Sequence, residues 1–234
     1  MTLDKAIADA LRATSTGTIH TILLKKGIRR TWMQGPKPTF HAGERLVGPA
    51  FTLRFVPARE DLATPESWSS PISTRAAIEA MPEGVIAVID GMGLPSAGVF
   101  GDILCARMKK RGVTALVTDG MMRDGVGVES THLPVWCAGI AAPSSVTGLT
   151  FVGWGEPIGC GGVAVFPNDV IVADGDGAVV IPAALVADVA KAGPDQELTE
   201  LWIMKEVERG VPLPGLYPMN AETKARFEAE TKRG

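Results

Sequence analysis

Three cysteines, three histidines and one tyrosine are a sparse set of reactive side chains for a chain of 234 residues. Cys105, Cys137 and Cys160 are dispersed, and no CxxC pair occurs. That spacing suggests neither a zinc ribbon nor a disulfide framework, and each cysteine is expected to be a small buried hydrophobe. His20, His41 and His132 are isolated, so no local ligand spacing points to a histidine metal site. Excess positive charge is also lacking. The net charge is −3, which leaves no electrostatic footprint for nucleic acid. The one basic cluster, Lys25, Lys26, Arg29 and Arg30, reads as a solvated helix end and turn. No apolar run reaches the ~20 residues of a membrane span. The opening Met-Thr-Leu-Asp-Lys-Ala lacks a signal-peptide pattern, so a reducing cytoplasm is the expected location. A glycine-rich stretch at 91–98 invites a dinucleotide reading, but GxGxxG is absent. With no repeat and no shift in composition, residues 1–234 read as one domain with a C-terminal helical arm from about 195 to 234.

What is present is an ample apolar content of 46% and an ordinary charged content of 21%. Residues 3–13 read as a short amphipathic helix. Thr14-Ser15-Thr16-Gly17 offers caps for a second helix that ends at Gly27. Residues 31–45 read as loop and 46–56 as a strand. Residues 59–71 read as an irregular excursion and 73–81 as a helix. Val85 to Asp90 is a continuous apolar run of strand length, expected to be buried on both faces. Pro134 to Ile140 is a further strand, and the Gly- and Pro-rich stretch 143–162 connects others. Strands at 163–166, 169–173 and 178–181 follow, with Asp174-Gly175-Asp176-Gly177 as a hairpin signal. Pro182 opens a helix that Gly193-Pro194 is expected to break. A long helix from about 195 to 208, an extended arm at 210–215 and a polar helix at 220–231 complete an α/β chain.

The chemistry concentrates at Asp102, Arg123 and Asp124. A helix over 102–111 and a strand over 114–118 lie between them. Helix and strand run back to back, so Asp102 and the Arg123-Asp124 pair can converge. Two carboxylates and a guanidinium suit a divalent cation and a small carboxylate ligand. Taken alone, the same residues also suit a helix cap and a surface ion pair of little worth.

The spacing Asp, twenty residues, Arg-Asp resembles the signature of the class II pyruvate aldolase family. That family includes 4-hydroxy-4-methyl-2-oxoglutarate aldolase and the regulator of ribonuclease activity A. Val47-Gly48-Pro49-Ala50-Phe51-Thr52 is similar to its early strand, and Pro167 to Gly177 to its late double strand; the likeness spans roughly residues 10 to 220. The resemblance implies a layered α/β/β/α sandwich like the swivelling phosphohistidine domain. It implies a lyase that releases pyruvate from a 4-hydroxy-2-oxo acid, with oxaloacetate decarboxylation as a side activity. The family also implies an alternative, a non-catalytic inhibitor of ribonuclease E. A dehydratase or hydrolase acting on a sugar-derived 2-oxo acid is a further alternative, because it would use the same enolate chemistry.

In the roles so implied, Asp124 binds Mg²⁺ or Mn²⁺ directly and Asp102 orients waters on it. Arg123 and the backbone amides around Gly101, Asp102, Ile103 and Leu104 hold the substrate carboxylate. Family organisation also implies a homotrimer or dimer of trimers, its sites completed by acidic residues of a neighbouring subunit. The candidates here are Glu197, Glu200, Glu206 and Glu208. Trp202, Ile203, Val207, Val211, Leu213 and Leu216 are expected to pack on that neighbour. Two positions depart from the family pattern: Ser96 stands where one form of the signature has glycine, and His20 where many members have aspartate.

Overall fold

The apolar run ending at Asp90 becomes a strand in the middle of the main sheet. Ala87 and Ile89 point into one apolar cluster, Ile86 and Val88 into another, and all four are fully buried. This alternation is what period-two geometry requires of a strand covered on both sides.

The computed structural model describes residues 3–231. Its first half holds α1 (Lys5–Arg12), α2 (Thr16–Lys25), β1 (Lys37–Phe40), β2 (Leu46–Pro57), α3 (Thr74–Ala80), β3 (Ile86–Asp90), α4 (Asp102–Lys110) and β4 (Ala115–Thr118). Then come β5 (Met121–Met122), α5 (Gly125–Ser130), β6 (Val135–Cys137), β7 (Gly139–Ile140), β8 (Leu149–Trp154), β9 (Ile158–Cys160) and β10 (Val163–Val165). The chain continues with β11 (Val170–Asp174), β12 (Gly177–Ile181), α6 (Val186–Glu208) and α7 (Ala221–Thr231).

The main sheet runs β1-β6-β4-β3-β2-β11-β12, with β8 also paired to β2. Strands β2, β3, β4 and β6 are mutually parallel, linked by segments that contain α3, α4 and α5. The long strand β2 joins two halves of the sheet, because its first residues pair with β11 and its later ones with β3 and β8. One apolar cluster lies between α3, α4, α5 and β2, β3, β4 and β6. A second lies between those strands and β9, β10, β11 and β12. The third covers the far side of β11 and β12 with α1, α2 and α6. Helix, sheet, curled sheet and helix therefore follow one another.

Local chemistry sets the element ends as expected. Ser15 accepts the Thr18 N–H and caps α2, and the Gly175-Asp176 turn closes the β11–β12 hairpin. The cysteines are all buried, and burial, aided by the nearby Asp102 charge, pushes the Cys105 thiol up to about 12.

Three expectations need correction. The loop over 31–45 contains β1, which pairs with β6. The strand over 134–140 is two short strands, β6 and β7, in different sheets. Gly193-Pro194 breaks nothing: α6 passes through Pro194 as one helix. Proline in a helix interior costs about 3 kcal/mol, so packing must offset it. Val189 and Ala190 are buried against the β11–β12 face, and a Cβ at Gly193 would run into Thr14.

The C-terminal arm also differs. Trp202, Ile203 and Leu216 are buried in a small cluster with Val211, Met219 and Phe227, so the arm packs on itself. Leu213, expected at a neighbour, is exposed, and Val207 is at the margin of exposure. Among the described residues no helix is long and apolar enough to cross a membrane.

Candidate active site

The loops that follow β3 and β4 build this site, at the C-terminal ends of parallel strands, where open α/β sheets hold ligands. Asp119, just past β4, fixes the two loops relative to each other. Its buried carboxylate accepts the Gly91 N–H at 2.8 Å and the Gly161 N–H at 3.0 Å. The segment before α4 then lies against the segment after β4. Val99 N–H donates to Met121 O at 2.7 Å, and Arg123 N–H donates to Phe100 O at 2.9 Å.

Two glycines permit this approach. A Cβ at Gly98 would sit 2.7 Å from Arg123 Cβ. A Cβ at Gly101 would collide with Asp124 Oδ2 and lie 3.2 Å from Arg123 Cγ. Asp102, opening α4, is packed as tightly against Gly127 of α5, where a Cβ would lie 2.7 Å from the Asp102 Cβ. Asp102, Arg123 and Asp124 thus converge on one cavity of about 290 Å³. Gly101, Ile103 and Leu104 line it too.

Asp124 caps α5 in the left-handed conformation, φ 54° and ψ 43°. A non-glycine residue held there costs about 1–3 kcal/mol, and such positions concentrate at functional sites. Arg123 Nε donates to Asp124 Oδ2 at 3.0 Å, and both side chains are partly exposed. A pair this wet is worth about 1 kcal/mol or less, so a ligand can part it at little expense. Asp102 Oδ1 accepts the Ile103 N–H at 2.7 Å, which engages one of the amides implied to bind substrate.

Among the described residues no three His, Cys, Asp or Glu side chains form a metal cage. The carboxylates in the cavity are those of Asp102 and Asp124. Hard oxygen ligands, few in number and open to water, fit Mg²⁺ or Mn²⁺, which keep several waters, better than they fit zinc.

The four glutamate candidates lie on α6, and three are committed elsewhere. Glu197 accepts the Ser15 N–H at 2.7 Å; burial raises its pKa, but this and neighbouring hydrogen bonds outweigh that and hold it below the ordinary range. Glu200 accepts from Gln196 at 2.8 Å. Glu206 is buried and ion-paired with Arg209 at 2.6 Å and with Arg226, the latter being the main cause of its lowered pKa. It serves the arm's own core. Glu208 is exposed.

The cavity has further walls that sequence reasoning missed: Trp68, Thr74, Arg75, Ser144 and Ser145. One signal was available for Arg75, since a cation in the first turn of a helix opposes the helix dipole. A larger cavity of about 650 Å³ is lined by His20, Arg29, Arg30, Trp32 and Asp176. It offers one carboxylate and none of the converging residues, so the smaller cavity is the stronger candidate.

Comparison with known proteins places the chain in a family. A model of the RraA-like family, described as aldolase/RraA, matches residues 5–180. A protein of Halalkalibacterium halodurans provisionally named 4-hydroxy-4-methyl-2-oxoglutarate aldolase is 36% identical over 140 residues, 59% of this chain. The match spans only 60% of that protein's own length. Among solved structures, Streptomyces coelicolor RraAS2, described as an unusual member of the RNase ES inhibitor RraA family, is 32% identical with a TM-score of 0.77. That likeness covers 86% of this chain and 97% of the other. An uncharacterised protein of Pseudomonas syringae pv. tomato shares the fold at a TM-score of 0.80 and 24% identity, over 94% and 96% of the two chains.

Proposed function

Since this chain belongs to the RraA-like aldolase/RraA family, we propose that it is a metal-dependent carbon–carbon lyase. Its substrate is a 4-hydroxy-2-oxo acid, pyruvate is one product, and oxaloacetate decarboxylation is a side activity. One observation carries this reading: Asp102, Arg123 and Asp124 line one cavity, at positions where Gly98, Gly101 and Gly127 leave no room for a Cβ.

Asp124 would hold Mg²⁺ or Mn²⁺ directly and Asp102 through water, and the bound cation would supply Lewis-acid stabilisation of negative charge. The rest falls to the chain's own groups. Arg123 leaves its ion pair and grips the substrate carboxylate with two N–H groups. Amides at the start of α4 face the same carboxylate. Asp102 takes the proton of the 4-hydroxyl through a water molecule. The C3–C4 bond breaks, C4 departs as a carbonyl, and its bonding pair stays on pyruvate as the enolate. Arg123 offsets that charge until C3 takes a proton. No Schiff base is involved, so the route needs no lysine.

Pyruvate release coupled to lactate dehydrogenase tests this reading, using oxaloacetate and a panel of 4-hydroxy-2-oxo acids. Release is expected to stop with EDTA and return with Mg²⁺. Undiminished turnover in EDTA would remove the metal from the account; no release from any substrate would remove the lyase. The panel also separates a dehydratase or hydrolase on a sugar-derived 2-oxo acid.

A second reading, inhibition of ribonuclease E without catalysis, draws on the similarity to the Streptomyces coelicolor protein. Pull-down of ribonuclease E at physiological salt, together with no turnover of any 2-oxo acid, would favour it.

The protein is further proposed to assemble as a trimer or dimer of trimers. Leu198, Leu201 and Met204 form an exposed apolar row on α6 at a spacing of three, and Leu213 follows. Light scattering coupled to gel filtration should show a multiple of 24.6 kDa. A fully active single chain would sink the assembly.

A further inference from the structure

Arg75 is a cation of the candidate cavity that the steps above leave unused. It is the second residue of α3, in a first turn without acidic residues. A positive charge there is opposed by the helix dipole, so local helix energetics do not explain it. Glu79 stands four residues later on the same helix, the spacing at which the two side chains would ordinarily pair. It turns away instead: Arg107 donates to it through Nε at 2.7 Å and Nη2 at 2.8 Å, and Arg111 at 3.2 Å. Arg123 is matched by Asp124. Among the described residues Arg75 has no acidic partner. Its one hydrogen bond goes to Thr74 Oγ1 at 3.2 Å.

The side chain is held all the same. Its guanidinium lies over the ring of Trp68, 4.5 Å from the centroid. Trp68 comes from a short 3-10 helix, Pro65–Ser69, between β2 and α3, and it lines the cavity as well. Stacking on one face leaves the in-plane N–H groups of a guanidinium directed outward, a geometry suited to a carboxylate. Arg75 is exposed overall, but partial desolvation beside Trp68 still pushes its pKa down from the ordinary value, and an anion in the cavity would oppose that.

We propose that Arg75, held flat by Trp68, is the specificity-determining residue of this site. It receives the second carboxylate of a dicarboxylic 2-oxo acid, at the end of the substrate remote from Arg123. This assignment rests on the lyase reading above.

The test compares 4-hydroxy-2-oxoglutarate with 4-hydroxy-2-oxopentanoate, its counterpart without the distal carboxylate. Wild-type protein should prefer the first. Arg75→Met should lower kcat/KM for the dicarboxylate by about 10- to 100-fold, mainly through KM, because charge-assisted hydrogen bonds are lost. Turnover of the monocarboxylate should be unchanged. Arg75→Lys should recover part of the loss, since it keeps the charge without the fork. Trp68→Leu should raise KM for the dicarboxylate alone by a smaller factor, about 2- to 5-fold. Equal losses on both substrates, or none on the dicarboxylate, would overturn the role of Arg75 and leave the lyase standing. Wild-type turnover of neither compound would instead sink the lyase reading and this role with it.

Discussion

Replacing Asp124 by asparagine is expected to abolish pyruvate release while leaving the fold intact. Asparagine is the informative choice because of the backbone. Asp124 occupies left-handed space at φ 54°, which asparagine tolerates and alanine does not. The substitution therefore removes a negative charge and a hard oxygen ligand without adding backbone strain. Asp124→Ala should lose activity as well, and should also unfold at lower temperature. Arg123→Lys should reduce kcat by roughly 100- to 1000-fold, the scale for losing one preorganised charge-stabilising group. Coupled pyruvate assays and thermal unfolding on the same preparations decide the matter. An asparagine variant with near wild-type kcat would show that Asp124 neither holds a metal nor shapes the site.

The second large effect is expected at a residue without a side chain. Gly101 has φ −121° and ψ −169°, an extended conformation that any residue adopts. Gly101→Ala thus costs nothing in backbone strain. Its Cβ, however, would occupy the place of Asp124 Oδ2 and press on Arg123 Cγ. Side chains and local backbone must shift, which in packed surroundings costs about 1–3 kcal/mol. For a chain of this size that corresponds to a fall in Tm of very roughly 2–12 °C. The loss of activity should be larger in proportion, because a displacement of about 1 Å at the reacting groups can reduce rate about 100-fold. Gly43→Ala is the control: nothing lies within 4 Å of its Cβ position, and it should be silent. Equal activity in the Gly101 and Gly43 variants would mean that the close packing of Gly101 against Asp124 has no catalytic consequence.

The sequence alone determined the features that depend on short-range pattern. The apolar run to Asp90 had to be a doubly covered strand, because neither face carries a polar side chain before its end. Asp174 to Gly177 had to be a tight hairpin, given paired turn residues between apolar strands. Asp102 and Arg123-Asp124 could approach, because a helix and a strand between them reverse the chain. Only the tertiary structure decided the rest, and in each case the cause is a contact between residues distant in the chain. Proline at 194 stays helical because α6 packs on α1, α2 and the β11–β12 face, and packing outweighs a local penalty. Glu206, one of four similar glutamates in the sequence, is withdrawn from any site because Arg209 and Arg226 enclose it. Arg75 joins Arg123, 48 positions away in the chain, because Glu79 is claimed by Arg107 and Arg111 and because Trp68 folds back over α3. Periodicity and spacing carry no record of such choices, since they are settled by which partner each charge and ring meets when the layers close.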